Sequence, residues 1–215
     1  KITPILLNNT VTGRNISLVI SQDEFKRALN VIHGEIFGVA KKINIAIFGH
    51  GTVGGTLISQ ILESAKNIET RKGVKLNVFD IANSKKVLLN KFGISENWKA
   101  TLEDKGQDYK VEDIIAYAKE HHLENLIAID NTASSTFVEN YISLAENSFD
   151  LISSNKVANT VSFDFYKKLR KVLKDNQKEY LYETNVGAGL PLIDTIKLLH
   201  LSGENITKIK GVFSG

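Results

Sequence analysis

The sequence predicts an α/β fold with a doubly wound parallel sheet. One observation is the alternating run Ile43, Ile45, Ile47, which leads straight into a glycine string, Gly49-x-Gly51-x-x-Gly54. A second is the amphipathic stretch behind it, with Val53, Leu57, Ile58, Ile61, Leu62 and Ala65 on one stripe. The third is that strand-like and helix-like runs keep alternating to the end of the chain. That alternation implies parallel strands joined by helical crossovers and covered on both faces.

In order, residues Ile16 to Ile20 read as a short strand. Ser21-Gln22-Asp23-Glu24 reads as a capping box that opens a helix bearing Phe25, Leu29, Ile32, His33 and Ile36. This β-then-α piece is too small to hold a core of its own. The boundary with the sheet domain is expected near Gly38 to Lys42. Further strands are expected at Leu76–Ala82, Leu126–Asp130, Phe149–Ser153 and Glu179–Glu183, and a last one at Ile206–Phe213. Helices are expected at Val111–Glu120, Thr136–Glu146 and Val161–Asn176.

The composition is that of an ordinary globular domain, 42% hydrophobic and 24% charged over 215 residues. With 27 Lys and Arg against 24 Asp and Glu, the net charge is only +3, and the basic residues are scattered. That footprint argues against a nucleic-acid partner. Cysteine is absent, which excludes disulfides and thiolate metal sites and fits a reducing, cytoplasmic setting. No apolar run approaches the roughly 20 residues of a membrane span, and no signal peptide opens the chain. The lack of Met and the first residue, Lys1, suggest a piece of a longer polypeptide.

The glycine string sits between a strand and a helix, the context that makes it specific for a dinucleotide. The first glycine permits a tight turn, the second lets the pyrophosphate approach the backbone, and the third lets helix and strand pack closely. The helix N-terminus adds unpaired amides and a partial positive charge. The second strand ends Ala82-Asn83-Ser84-Lys85-Lys86 rather than on an acidic residue. A hydroxyl and lysines suit a 2′-phosphate, so NADP is expected ahead of NAD. Lys85 and Lys86 read equally well as an exposed helix start.

Three more strand ends carry polar clusters. In Asp130-Asn131-Thr132-Ala133-Ser134-Ser135, the hydroxyls can face the nicotinamide half or cap the next helix. Lys156, in Ser153-Ser154-Asn155-Lys156, can hold a carboxylate or exchange a proton, or stand in solvent. The turn from Glu183 to Pro191 can ring a hard cation with oxygens or be a plain connection. His121-His122 reads as a solvated helix end, and Trp98 as packing.

These motifs, in this order, resemble homoserine dehydrogenase. The strings are FGHGTVGG (48–55), IANSK (81–85), DNTASS (130–135), SSNKVANT (153–160), YETNVGAGLPLIDT (182–195) and GVFSG (211–215). The resemblance runs from Lys42 to Gly215. The N-terminal piece looks like the end of the ACT regulatory region in bifunctional aspartokinases. The implied layout is an ACT remnant at 1–38, a Rossmann NAD(P)-binding domain at 42–205, and at 206–215 the first strand of a substrate and dimerisation domain.

The resemblance implies NAD(P)-dependent interconversion of L-homoserine and L-aspartate 4-semialdehyde, on the route to threonine and methionine. It implies a polypeptide that is also an aspartate kinase and that forms a homo-oligomer. Carried over by motif, Gly49, Gly51, Thr52, Val53 and Gly54 cradle the pyrophosphate. Ala82 and Ser84 lie at the adenosine end, and Thr132 and Ser134 near the nicotinamide. Lys156 lies beside nicotinamide and substrate. Glu183 and the carbonyls of Val186, Ala188 and Leu190 match a sodium site. The family's substrate domain follows GVFSG, so this chain alone is expected to bind cofactor weakly and turn over little. Two alternatives stay open: a semialdehyde-type dehydrogenase of the same fold, whose cysteine nucleophile is missing here, and a non-catalytic cofactor-binding or regulatory module.

Overall fold

The computed structural model describes residues 2–9, 15–37 and 40–212. The chain opens with a hairpin, β1 (Leu6–Asn9) against β2 (Ile16–Val19), followed by α1 (Phe25–Phe37). β1 has no counterpart in the sequence reading. The capping box is also replaced: the Ser21 hydroxyl donates to Glu24 Oε2 at 3.3 Å instead of accepting from an amide, and residues 22–24 form a 3-10 turn. The expected boundary at Gly38 falls outside the described residues.

The main body follows in order: β3 (Lys41–Phe48), α2 (Thr52–Lys72), β4 (Val74–Ala82), β5 (Lys86–Leu89), α3 (Trp98–Lys105), β6 (Gln107–Asp108), α4 (Val111–Glu120), β7 (Leu126–Asp130), α5 (Asn140–Glu146), β8 (Phe149–Ser153), α6 (Phe163–Asp175), β9 (Tyr180–Leu181) and α7 (Leu192–Leu201). Seven of these strands form one sheet in the order β6-β5-β4-β3-β7-β8-β9. β4, β3, β7, β8 and β9 run parallel, as the alternation requires. β5 and β6 turn back antiparallel and add an edge the sequence reading missed. They are short, and the hairpin turn from β4 into β5 is set by Asn83 Oδ1, which accepts from the amides of Lys85 and Lys86 at 2.8 Å each. Lys85 and Lys86 therefore begin a strand turn, not a helix.

Each face of the sheet carries its own core. On one, Phe48, Phe79, Ile114, Tyr141, Leu144 and Phe149 pack under α4, α5 and α6. On the other, Ile45, Ile47, Ile58, Ile81, Trp98 and Leu102 pack under α2 and α3. Ile206 to Val212 run as irregular, exposed backbone rather than the expected strand, and Phe213 lies outside the described residues. A lone strand has no ladder to complete, so its amides stay with water.

One core position is unfavourable. The register of β3 against β4 slips between Ile45 and Ala46, leaving Phe79 as the extra residue of a bulge. Asp80, the next residue, is fully buried, and neither carboxyl oxygen has a well-formed hydrogen bond among the described residues. Burial holds its pKa well above the carboxylate range, with only a weak offset from the Ile47 amide. A raised folded-state pKa favours the protonated native form. Its contribution is complete below the unfolded pKa and is lost as pH rises towards the folded one. Asp80→Asn is therefore expected to match the parent near pH 4 and to exceed it at pH 8 by about 1–3 kcal/mol. Urea unfolding at both pH values checks this; parallel losses at both would reject it.

Candidate functional site

Reversal of strand order between β3 and β7 opens a crevice at the carboxyl edge of the sheet. Every loop singled out in the sequence leaves that edge. The glycine loop follows β3. Gly49 has φ +85, and its amide is held by Ala82 O at 2.8 Å. A Cβ on Gly54 would meet Gly49 O at 1.9 Å, whereas one on Gly51 would meet nothing within 4 Å. The third glycine is therefore fixed by packing and the second is open to a ligand. Gly51 caps α2 with no side-chain hydrogen bond, and Gly51, Thr52 and Val53 are exposed. The first-turn amides thus keep their capacity to bind an anion.

Asn131 backs this loop. Its amide donates to Phe48 O at 2.8 Å, its backbone lies against Gly49, and its Oδ1 accepts from Ser154 Oγ at 3.0 Å. Its Nδ2 is buried and has no partner among the described residues. At the end of β4, Ala82 is buried in the sheet while Ser84 and Lys85 stand exposed on the hairpin turn.

The loops after β7 and β8 are tied together by Asp130, only 2% exposed. Its Oδ1 accepts from the Thr132 amide at 2.7 Å; its Oδ2 accepts from Tyr141 OH at 2.7 Å and Asn155 Nδ2 at 3.0 Å. Asn155 also donates to Ser134 O at 2.9 Å, and its carbonyl accepts from Ser153 Oγ at 2.8 Å and Asn185 Nδ2 at 3.3 Å. Burial, then the charge of Asp130, pushes the Tyr141 phenol far above its usual range, so it stays a donor.

Within this frame Thr132 and Ser134 serve the loop itself. Thr132 Oγ1 accepts from the Ser134 amide at 3.3 Å, and Ser134 Oγ accepts from Phe137 N at 3.1 Å. These bonds close the turn that leads into residues 137–139, whose N-cap, Thr136, makes no side-chain capping bond. Lys156 is exposed one residue beyond Asn155. Glu183 caps α7: its oxygens accept from Ile193 N at 2.8 Å and Asp194 N at 2.9 Å. Leu190 O accepts from Leu192 N at 2.8 Å. Gly187 and Ala188 both have positive φ, at 78 and 51, and shape that turn; Val186 and Leu190 are exposed. Sequence reasoning missed Asp130, Tyr141 and Asn155 as a unit, because Tyr141 sits at helical spacing and reads as core. It also missed a cleft beside the glycine loop, lined by His50, Asn83, Lys86 and Trp98 among others.

A glycine loop at the switch point of a doubly wound sheet defines a dinucleotide-binding domain. A family model described as homoserine dehydrogenase, NAD binding domain, matches residues 49–183, and the chain belongs to that family. The bifunctional aspartokinase/homoserine dehydrogenase of Buchnera aphidicola is 37% identical over 217 residues, covering 100% of this chain and 26% of the relative. That of Haemophilus influenzae is 34% identical over 203 residues, covering 94% and 25%. A hyperthermophilic archaeal homoserine dehydrogenase solved in complex with NADPH is similar at TM-score 0.58 and 25% identity, over 72% of this chain and 48% of that one. The chain spans about a quarter of the length of these curated relatives.

The two glycines should separate in their effects. Gly54→Ala is expected to cost about 1–3 kcal/mol of stability through the forced shift against Gly49. Gly51→Ala should leave stability within about 0.5 kcal/mol, since its Cβ meets open space. It should still weaken dinucleotide binding by crowding the phosphates. Thermal unfolding and calorimetric titration of both variants check this; equal melting temperatures for the two would contradict it.

Proposed function

We propose that this chain is the cofactor-binding part of a homoserine dehydrogenase, carried on a polypeptide that is also an aspartate kinase. The reaction is the interconversion of L-homoserine and L-aspartate 4-semialdehyde. The observation that carries the reading is the open α2 N-terminus at Gly51, beside a third glycine locked by Gly49. Amides of Thr52, Val53 and Gly54 hold the pyrophosphate. Ala82 lines the approach to the adenosine ribose, and Ser84 with Lys85 favours the 2′-phosphate of NADP over the bare hydroxyl of NAD. When bound, the cofactor supplies hydride exchange at its nicotinamide.

The chain's own residues orient and polarise. The loop bearing Thr132 and Ser134 walls the nicotinamide side. Lys156 lies beside the substrate oxygen and stabilises the charge that grows there in the aldehyde-reducing direction. The set Glu183 with the carbonyls of Val186, Ala188 and Leu190 has the oxygen chemistry of a hard-cation site, here sodium. The ion would share its carboxylate with the α7 N-terminus, and no step depends on it. Residues 1–38 as an ACT remnant, 42–205 as the nucleotide domain and 206–215 as the start of a substrate and dimerisation domain complete the reading. With it go a homo-oligomer and a cytoplasmic location. Among the described residues no helix is long and apolar enough to cross a membrane.

The test is semialdehyde reduction by the full polypeptide, with NADPH and NADH in parallel. NADPH is expected to be preferred; no oxidation of either overturns the function, and a clear NADH preference overturns the cofactor choice. Lys156→Ala should lower turnover about a hundredfold, and a change below about threefold removes it from the site. Replacing sodium by choline should lower the rate, and an unchanged rate rejects the ion. The chain alone should turn over little or nothing; steady homoserine oxidation by it rejects that expectation.

A further inference from the structure

Arg170, on α6, has no role in the reading above. The buried Leu169 and Leu173 fix α6 on the sheet, and Arg170 beside them meets the end of β9. Its guanidinium carbon lies 4.9 Å from the Tyr166 ring centroid, 5.2 Å from that of Tyr180 and 5.0 Å from that of Tyr182. Tyr166 is one helical turn before Arg170. Tyr180 lies in β9 and Tyr182 just beyond it, with ring centroids 4.9 Å apart. Arg170 Nη2 also donates to Asn159 Oδ1 at 3.2 Å. Among the described residues Arg170 forms no ion pair, so its charge is directed at the rings and at that amide oxygen.

We propose that Arg170 is a positioning residue for the dehydrogenase reaction, holding the loop of Lys156 against the turn of Glu183. The inference rests on the reading above, which puts Lys156 beside the substrate oxygen. Asn159 closes the 3-10 turn Val157–Asn159, and Lys156 is the N-cap of that turn. Tyr182 is the N-cap of the next 3-10 turn, Glu183–Asn185. Arg170 therefore grips both turns, one at its last residue and one at the residue before its first. On the inner side the two are joined by Asn185 Nδ2, which donates to Asn155 O at 3.3 Å. One such bond leaves a pivot, and a second attachment through Arg170 removes rotation about it. Lys156 is exposed, so its Nζ is placed by the backbone beneath it rather than by packing. Arginine suits this task because its guanidinium is flat, always charged and forked. It stacks on rings and hydrogen-bonds in its own plane, whereas a lysine keeps the charge and loses the plane.

The test is steady-state semialdehyde reduction by the full polypeptide, with NADPH affinity and melting temperature measured beside it. Arg170→Ala is expected to lower kcat about tenfold, the scale of a slightly misplaced reacting group, with NADPH affinity within about twofold of the parent. Arg170→Lys should recover little of that loss, because the ring stack needs the plane. Asn159→Ala removes only the tie to the Lys156 loop and should lower kcat about threefold; combined with Arg170→Ala it should add nothing further. A merely structural Arg170 would lower the melting temperature and leave the kcat of the folded enzyme unchanged. That result, an equal fall in NADPH affinity, losses that multiply in the double variant, or full recovery by lysine overturns the inference and leaves the dehydrogenase reading intact. Where Arg170→Ala does not fold, Asn159→Ala decides alone, and an unchanged kcat overturns the inference. No semialdehyde reduction by the parent overturns both.

Discussion

The functional edge of this domain depends on one buried carboxylate that has no counter-ion among the described residues. Asp130 sits at the end of a central strand, nearly free of solvent, and is satisfied by three donors from three places: the Thr132 amide, the Tyr141 phenol and the Asn155 amide. An unpaired buried charge is costly, and hydrogen bonds to both of its oxygens are what make it tolerable. The geometry that satisfies Asp130 fixes the loop after β7 and the loop after β8 at the same time. Through Asn185, Asn155 also reaches the turn that follows β9. Orientation, the main thing a protein adds to cofactor chemistry, is thereby built into the sheet edge before any ligand arrives.

The glycine loop obeys a different constraint, steric rather than electrostatic. Its residues are set by how closely backbone approaches backbone: Gly54 on Gly49 O, and Gly49 on the Asn131 carbonyl group. Asn131 is the neighbour of Asp130, so the two constraints meet on adjacent residues. One side chain supports the far loops, and the other backs the glycine turn and reaches Ser154. A shift at the end of β7 would be felt along the whole edge.

The parallel strands and most helices were legible because period and length agreed: Leu126–Asp130, Phe149–Ser153 and Val111–Glu120 fall where their patterns put them. The antiparallel edge was not legible. Lys86–Leu89 is four residues long, and its turn is fixed by a side chain, Asn83, whose bonding has no periodic signature. The glycine loop was readable because its chemistry lies in missing side chains at fixed spacing. The Asp130 hub was not, since its members are 25 residues apart in sequence and each alone reads as something ordinary. The hydroxyls of Thr132 and Ser134 were visible both as ligand candidates and as local acceptors, and in the structure nearby amides engage them. The buried Asp80 gave no warning either, because a bulge at Phe79 breaks the alternation that would have pointed it outward or inward.

Stability and function pull apart along the sheet in a consistent way. The carboxyl edge concentrates the groups that cost free energy to bury or hold: Asp130, the Asn131 Nδ2 with no partner among the described residues, and the positive φ of Gly49, Gly187 and Ala188. The two apolar clusters beneath are continuous and carry the folding free energy. Trp98 belongs to one of those clusters and also walls the cleft beside His50. That wall therefore rests on the core itself.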